Sequence, residues 1–377
     1  MKKIIAIIIM IATLLSLVSC GSKTYPAVES TVEEARVVMT LTLDGKTYDV
    51  RYELYRTFFL TYKSQVDGGN SAVWQGDTRE EYVALIDEII IDRIVEIYSA
   101  FAICDRIGFD LYSKDVEKKI SENIRISVEG GSYGSSTLDG YESYDHYLAA
   151  LKAMNMNYSV QTLLMRYAIA IDAIDTYYIG TASSDDVNVN ITLGAIEYTE
   201  DDVRDFYFSD DCARVLRANF QKAISYTPLK RAEDLRDSMR EAAESSDTLE
   251  QKETAVFQAI IKEGLYSNTA ELKSGYVIGR YNLERSYYGD MTDAALALEI
   301  GEVSDPIEVV SDVENSYYVL YKTLKSEEHF KVNYDSIKYV FLMNYVGEIS
   351  HGVASTLKDS VVYTDYLRSI DHSSIKM

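Results

Sequence analysis

Side chains that could perform chemistry are sparse in this sequence and lie far apart. Among 377 residues there are three cysteines and four histidines. No two of these residues stand at the short spacings that zinc ligands share, and no Gly-x-Ser-x-Gly, His-Glu-x-x-His or phosphate-binding glycine pattern occurs. The sequence therefore predicts no metal site, no cofactor and no hydrolase nucleophile. The residues concerned are Cys20, Cys104, Cys212, His146, His329, His351 and His372.

The first cysteine has a chemical role of another kind. Lys2 and Lys3 precede an apolar run of 15 residues, Ile4–Val18, which is shorter than the roughly 20 residues of a membrane-spanning helix. Such a segment is typical of a signal peptide, here residues 1–19. The sequence LVSC that ends at Cys20 resembles the bacterial lipobox, which predicts a lipidated cysteine and attachment to the extracytoplasmic face of the cell membrane. An ordinary signal peptide followed by a chance cysteine is the alternative.

The other cysteines and the histidines have structural interpretations. Cys104 lies in a strongly apolar segment and is predicted to be a buried, inert thiol. Two cysteines this far apart show no disulfide framework, although a Cys104–Cys212 bridge stays open. Each histidine is interpreted as an isolated surface imidazole.

Composition limits the possible partners. The chain is 47% hydrophobic and 26% charged, which is normal for a globular protein of two or three domains. Its formal net charge is −23. A surface this acidic repels phosphate backbones, so we expect no nucleic-acid partner.

Helical patterns dominate the first half of the chain. Alternating residues on either side of Asp44-Gly45 predict a β-hairpin over Val37–Val50. The period changes at Arg51, and 51–178 is predicted to be mainly helical. Thr78-Arg79-Glu80-Glu81 is interpreted as a capping box that opens a long helix.

The second half mixes strands and helices, which predicts an α+β module. In chain order, the pattern predicts a strand at Ala213–Tyr226, a helix from Pro228 to about Ser245, a helix that Thr248 caps, a strand at Gly275–Arg280, a helix at Asp293–Ile300 and a strand at Tyr317–Leu324.

Three stretches resemble the SurA/PrsA/trigger-factor family of extracytoplasmic foldases. GKTYDVRYELYRTFFLTYKSQ and GYESYDHYLAALKAMNMNYSVQTLLMRYAI are similar to two signatures of the family's N-terminal domain. ALALEIGEVSDPIEV resembles the corner before the last strand of a parvulin domain, the family's peptidyl-prolyl isomerase module. The resemblance implies a multidomain α+β protein with an all-α chaperone domain, a parvulin-like α+β module and a C-terminal helix that returns to the first domain.

The resemblance also implies domain bounds and a place for the last helix. The helix at about Asn333–Ile349 is expected to dock on the first domain, because its apolar stripe needs a partner. A homodimer is left open. The predicted segments are a signal peptide at 1–19, a lipidated cysteine and tether at 20–36, a chaperone domain at 37–205, a parvulin-like domain at 206–326 and a C-terminal helix and tail at 327–377.

The parvulin resemblance implies an active site whose residues have been replaced. Parvulins carry two histidines on adjacent strands with an acid or cysteine nearby. Here Phe220 stands at or beside the first histidine position, Tyr318 at the second, and Tyr276 near the acidic position. Met291 stands at the aromatic position of the prolyl pocket and is expected to bind apolar side chains together with Phe220 and Tyr318.

The resemblance thus implies a lipid-anchored chaperone that binds unfolded exported proteins and has lost isomerase catalysis. One alternative is weak prolyl isomerisation by an altered site made of Tyr276, Tyr318 and Met291. Another is a solute-binding lipoprotein, which would need repeated βαβ units.

Overall fold

A computed structural model describes residues 24–133, 136–185, 188–222, 227–264, 269–281, 285–310 and 315–376. The signal peptide 1–19 and Cys20 lie outside these residues, so cleavage and lipidation stay predictions. The chain forms two compact units. The first contains the residues up to Tyr177 together with those from Ser350, and the second contains Tyr178–Ile349. The predicted domain bounds stay predictions.

The first unit holds a three-stranded antiparallel sheet. Strands β1 (Val37–Leu43) and β2 (Lys46–Arg51) form the predicted hairpin. Asp44 and Gly45 have φ values of 53° and 78°, and this pair of positive values matches the right-handed twist of the strands. The third strand, β11 (Val362–Tyr363), comes from the end of the chain and pairs with β1.

Helices make up most of the rest of the first unit, as predicted. Their apolar sides bury large aromatic rings: Phe59 is fully buried and lies 5.0 Å, centroid to centroid, from the buried ring of Trp74. Burial of one such side chain contributes about 1.5–3 kcal/mol. The elements are α1 (Tyr52–Asp67), α2 (Arg79–Ile107), α3 (Lys114–Glu129), β3 (Gly131–Tyr133), β4 (Ser136–Leu138), α4 (Tyr144–Ala153) and α5 (Tyr158–Tyr178).

The capping box predicted at Thr78 is wrong. Helix α2 is preceded by a 3₁₀ turn, Gly76–Thr78, so Thr78 already has helical backbone angles and makes no side-chain capping bond. Its hydroxyl instead donates to the carbonyl oxygen of Val73 at 3.4 Å. A capping residue needs an extended backbone to turn its side chain onto the first amides, and the 3₁₀ turn removes that geometry.

The second unit begins with a hairpin and continues as a helix-flanked sheet. The observed bounds of its strands and helices are β5 (Gly180–Asp185), β6 (Asn188–Leu193), α6 (Glu200–Phe208), β7 (Cys212–Gln221), α7 (Pro228–Glu244), α8 (Leu249–Lys262), α9 (Thr269–Ser274), β8 (Tyr276–Gly279), α10 (Arg285–Ala297), β9 (Ile307–Val310), β10 (Asn315–Lys322), α11 (Glu327–Val332) and α12 (Tyr334–Asp359).

The main sheet of this unit is antiparallel with the order β8-β7-β10-β9. Helices α7 and α8 pack on one face, and α10 packs on the other. These helices and small antiparallel sheets confirm the α+β class. Every strand pairing among the described residues is antiparallel. The solute-binding alternative, which needs parallel βαβ units, therefore gains no support.

The last long helix, α12, contributes residues to both units. The first part of α12 belongs to the second unit, where Ile337 packs with Val203 and Tyr207. Its apolar stripe therefore finds its partner in that unit. The expected docking of 333–349 on the domain predicted at 37–205 stays a prediction, since Val203 lies within those bounds, and residues 350–377 belong to the first unit.

Two cysteines and two histidines are buried in the structure. Cys104 and Cys212 are free buried thiols, which confirms the prediction for Cys104 and leaves no bridge between them. Burial raises the pKa of both thiols to about 12. Two histidines are not surface groups as predicted, because His329 is 9% exposed and His372 is 3% exposed. Each is paired with a buried tyrosine hydroxyl, and sequence spacing carries no sign of such a partner.

Candidate functional site

Two polar side chains face each other across the centre of the main sheet. In the pairing of β10 with β7, Tyr318 lies directly opposite Asn219. The Asn219 Nδ2 donates to the phenolic oxygen of Tyr318 at 2.9 Å. Directly opposed residues lie on the same face of a sheet, so this pair marks the face covered by α10.

An arginine stacks beside this pair. The guanidinium carbon of Arg217 lies 3.8 Å from the ring centroid of Tyr276 and 6.0 Å from that of Tyr318. Arginine over an aromatic ring is stabilised by about 0.5–2 kcal/mol, and it keeps its charge at any physiological pH. Arg217 and Asn219 are half-buried at this face, and the Oδ1 of Asn219 is buried.

The floor of the face is apolar. Met291 is buried, and it belongs to the same core cluster as Tyr318, with the half-buried Tyr276 packed against it. We call the five residues of this surface the β7–β10 face. They are Arg217, Asn219, Tyr276, Met291 and Tyr318.

Phe220 does not belong to this face. It is buried in the opposite cluster with residues of α7 and α8, and its strand partner is Tyr317. The guanidinium carbon of Arg231 lies 5.2 Å from its ring centroid. A shift of one residue along a strand moves a side chain to the other side of the sheet. The predicted site therefore places Phe220 wrongly, and Asn219 takes the position opposite Tyr318.

Sequence reasoning missed Arg217 and Asn219 as site residues. The signal was available in the burial alternation of β7. Leu216, Ala218 and Phe220 form one apolar series, so the residues between them must face the other side. This alternation places Asn219 on the side of the sheet opposite Phe220.

The opposite side of the sheet carries a separate groove of about 570 Å³ at the start of α7. The Nζ of Lys222 lies 4.7 Å from the ring centroid of Tyr317 and forms an ion pair with Glu308. The walls of this groove are mostly apolar. The lining residues are Lys222, Thr227, Pro228, Leu229, Lys230, Glu233 and Tyr317.

Imidazole chemistry is absent from the β7–β10 face, since the sequence has no histidine between residues 147 and 328. His329 has a structural role instead. Its Nδ1 lies 2.8 Å from the Tyr207 hydroxyl and its Nε2 lies 2.7 Å from the Ser274 carbonyl oxygen. Burial lowers the pKa of His329 to about 4, so the ring is neutral near pH 7.

Within the described ranges, no group of three or more His, Cys, Asp or Glu side chains is placed to hold a metal ion. Nor does that part of the chain contain a helix both long and apolar enough to cross a bilayer.

Comparisons with known proteins give only distant likenesses. No protein-family model and no curated protein matches the chain. The foldase protein PrsA of Lactococcus lactis is 16% identical, with a TM-score of 0.23, over 91% of this chain and 100% of that one. PrsA of Streptococcus pneumoniae is 13% identical, with a TM-score of 0.23, over 85% and 92%. A TM-score of 0.23 is too low for either likeness to carry an argument about function.

Proposed function

We propose that this protein is a lipid-anchored extracytoplasmic chaperone that binds unfolded exported polypeptides on the β7–β10 face. The observation that carries the proposal is the stack of Arg217 on Tyr276 beside the Asn219–Tyr318 pair. The order of motifs along the sequence supports the same assignment. Cys20 would hold the protein on the membrane.

The face has the chemistry that an unfolded segment requires. Unfolded chains expose backbone carbonyl groups and apolar side chains together. The guanidinium of Arg217 can donate hydrogen bonds to carbonyl oxygens, and the half-buried ring of Tyr276 offers apolar area at low conformational cost. Because neither group reads a particular sequence, the site suits clients of many kinds.

Catalysis of prolyl isomerisation is a second candidate function. Tyr276, Tyr318 and Met291 all belong to one face, which favours an altered isomerase site over scattered replacements. The barrier to rotation of a peptide bond is about 18–20 kcal/mol, and an enzyme lowers it by positioned polar groups. With no imidazole pair, Arg217 is the charged group left on the face, and we expect activity near background.

One experiment separates the two functions. The chain from residue 20 with Cys20→Ala is tested for suppression of aggregation of a denatured client and for acceleration of prolyl isomerisation in a peptide. A chaperone suppresses aggregation and leaves the isomerisation rate unchanged. Rapid isomerisation that Tyr318→Phe abolishes would establish the enzyme in its place.

Membrane attachment is tested on the full chain. The lipobox predicts that the wild-type protein is recovered with membranes and that Cys20→Ala releases it after signal-peptide cleavage. Cys104→Ala is the matched control, because that thiol is buried. Retention of the Cys20→Ala protein on membranes would contradict the anchor.

A further inference from the structure

The segment before the first strand is docked on the first unit, although the sequence predicted a tether there. Residues 24–36, which we call the strap, end where β1 begins. Backbone bonds fix its last turn, since the amides of Tyr52 and Glu53 donate to the carbonyl oxygens of Arg36 and Glu34 at 2.8 and 3.1 Å. The strap is therefore part of the folded unit and does not act as a free linker.

Acidic side chains hold the middle of the strap. Glu53 is 3% exposed, and its Oε2 accepts from the Ser30 hydroxyl at 2.5 Å and from Asn157 Nδ2 at 2.8 Å. Glu34 forms an ion pair with the buried Arg56, with 2.7 Å between Oε1 and NH2. Separating the buried carboxylate of Glu53 or the buried guanidinium of Arg56 from these partners would be costly, so the strap stays attached.

The beginning of the strap is held by aromatic contacts. The ring of Tyr25 stacks on that of Tyr144, with 4.9 Å between centroids. Its hydroxyl donates to Glu129 Oε1 at 3.0 Å, and the Tyr144 hydroxyl donates to the Pro26 carbonyl oxygen at 2.6 Å. The docked part of the strap therefore reaches back at least to Tyr25.

Four residues separate Cys20 from Tyr25 along the chain. Five residues span at most about 17 Å even when fully extended. We propose that the edge of the first unit formed by Tyr25, the end of α3 and the start of α4 lies against the lipid surface. The inference rests on the proposed lipidation of Cys20, which places the lipid within that reach.

The chemistry of this edge fits a neutral lipid interface. The half-buried Tyr141 and Tyr144 both contact the ring of the buried Tyr147, and tyrosine is favoured where an apolar body meets polar headgroups. The charged groups around them are mainly acidic: Glu129, Glu142 and Asp145, with Arg125 paired to Glu129. Anionic headgroups would repel these carboxylates, so the edge is suited to zwitterionic lipid.

Energy transfer from tryptophan to a lipid acceptor tests the inference. The chain from Cys20 is coupled through that thiol to a maleimide phospholipid in phosphatidylcholine vesicles that contain dansyl-headgroup lipid. The other two cysteines are buried and free, so they do not compete. Asp145→Trp places a donor at the proposed edge, and the signal of Trp74, the one native tryptophan, is subtracted with the unsubstituted chain. Chemical coupling makes the result independent of lipidation in cells.

Two matched variants give the comparison. Asp115→Trp places the donor at the other end of α3, about 21 Å from Glu129 along the helix axis. A Gly/Ser insertion of about 20 residues after Gly21 adds a mean span of about 25 Å between lipid and strap.

Strong transfer from the Asp145→Trp chain, weaker transfer from the Asp115→Trp chain and a severalfold loss after the insertion would support the inference. Equal transfer from both positions, or transfer that the insertion leaves unchanged, would overturn it. If the Cys20→Ala protein stayed on membranes in cells, that result would contradict only the proposed lipidation of Cys20. The vesicle measurement would still test the edge, because the lipid there is attached chemically.

Discussion

The Nδ2 of Asn219 donates to the phenolic oxygen of Tyr318 at 2.9 Å, across the two central strands of the main sheet. Tyr318 stands where the parvulin resemblance puts the second of two histidines. An amide and a phenol hold their protons near pH 7. The pair therefore fixes the surface of the β7–β10 face and transfers no proton.

Removal of this hydrogen bond should lower stability modestly. Tyr318→Phe leaves the Asn219 amide without its acceptor, and we expect a loss of about 0.5–1.5 kcal/mol in the free energy of unfolding. Urea denaturation measures it. Tyr317→Phe is the matched control, because its hydroxyl makes an exposed 3.3 Å contact with Glu308, and we expect almost no change. Equal losses from both substitutions would argue against a structural role for the Asn219 bond.

Docking of the strap should depend on pH through Glu34. Burial opposes ionisation of this carboxyl, but hydrogen bonds from Thr31 and Arg56 prevail and lower its pKa from 4.5 to about 2. A lowered pKa stabilises the docked strap above about pH 4.5, and this contribution is lost as the pH falls towards 2. The protection factors of the strap amides, which compare each exchange rate with the intrinsic rate at the same pH, should therefore fall in that window. In Glu34→Gln, protection should be lower at pH 7 and should vary less between pH 4.5 and 2; an unchanged profile would contradict the assignment.

The returning end of the chain should respond to acid through His372. Its Nε2 lies 3.0 Å from the Tyr55 hydroxyl, which donates to Asp87 Oδ1 at 2.6 Å. Burial lowers the pKa of His372 from 6.5 to about 4, so its contribution to stability is full above pH 6.5 and is lost as the pH falls towards 4. Burial also raises the pKa of Asp87 to about 6, which acts in the opposite direction.

The measurement is therefore a difference between two proteins. His372→Gln keeps Asp87 and removes the imidazole, so the wild type should lose more stability than this variant between pH 6.5 and 4. Thermal unfolding at several pH values gives the comparison. Parallel pH profiles would show that His372 does not titrate as its burial requires.

Features set by neighbouring residues could be predicted from the sequence. Asp44-Gly45 suits only a tight hairpin turn, and Thr248 and Gln251 complete each other's hydrogen bonds in an observed capping box. Contacts between residues distant in the sequence could not. Ser30 reaches Glu53 and Tyr55 reaches His372 only after the chain has folded, so a polar strap was interpreted as a tether and a buried histidine as a surface group.

The candidate site shows the same division. The sequence predicts Tyr276, Met291 and Tyr318 as members, and Met291 and Tyr318 share one core cluster against which Tyr276 packs. Their role in binding stays a prediction. The pattern match placed Phe220 with them because motif letters carry no information about strand register. Arg217 and Asn219 were overlooked because neither stands in the position of a parvulin histidine.

The affinity of the β7–β10 face for an unfolded segment tests the central claim most directly. Fluorescence anisotropy gives the Kd of a labelled apolar, proline-containing peptide for the soluble Cys20→Ala chain and for the same chain with Arg217→Ala. Loss of a hydrogen bond from the guanidinium to a peptide carbonyl oxygen, at about 1.5–3 kcal/mol, should weaken binding about ten- to 150-fold. Arg240→Ala removes the same charge from exposed helix α7 on the other side of the sheet and should leave the Kd unchanged. Equal Kd values for the Arg217→Ala and unsubstituted chains would contradict the account.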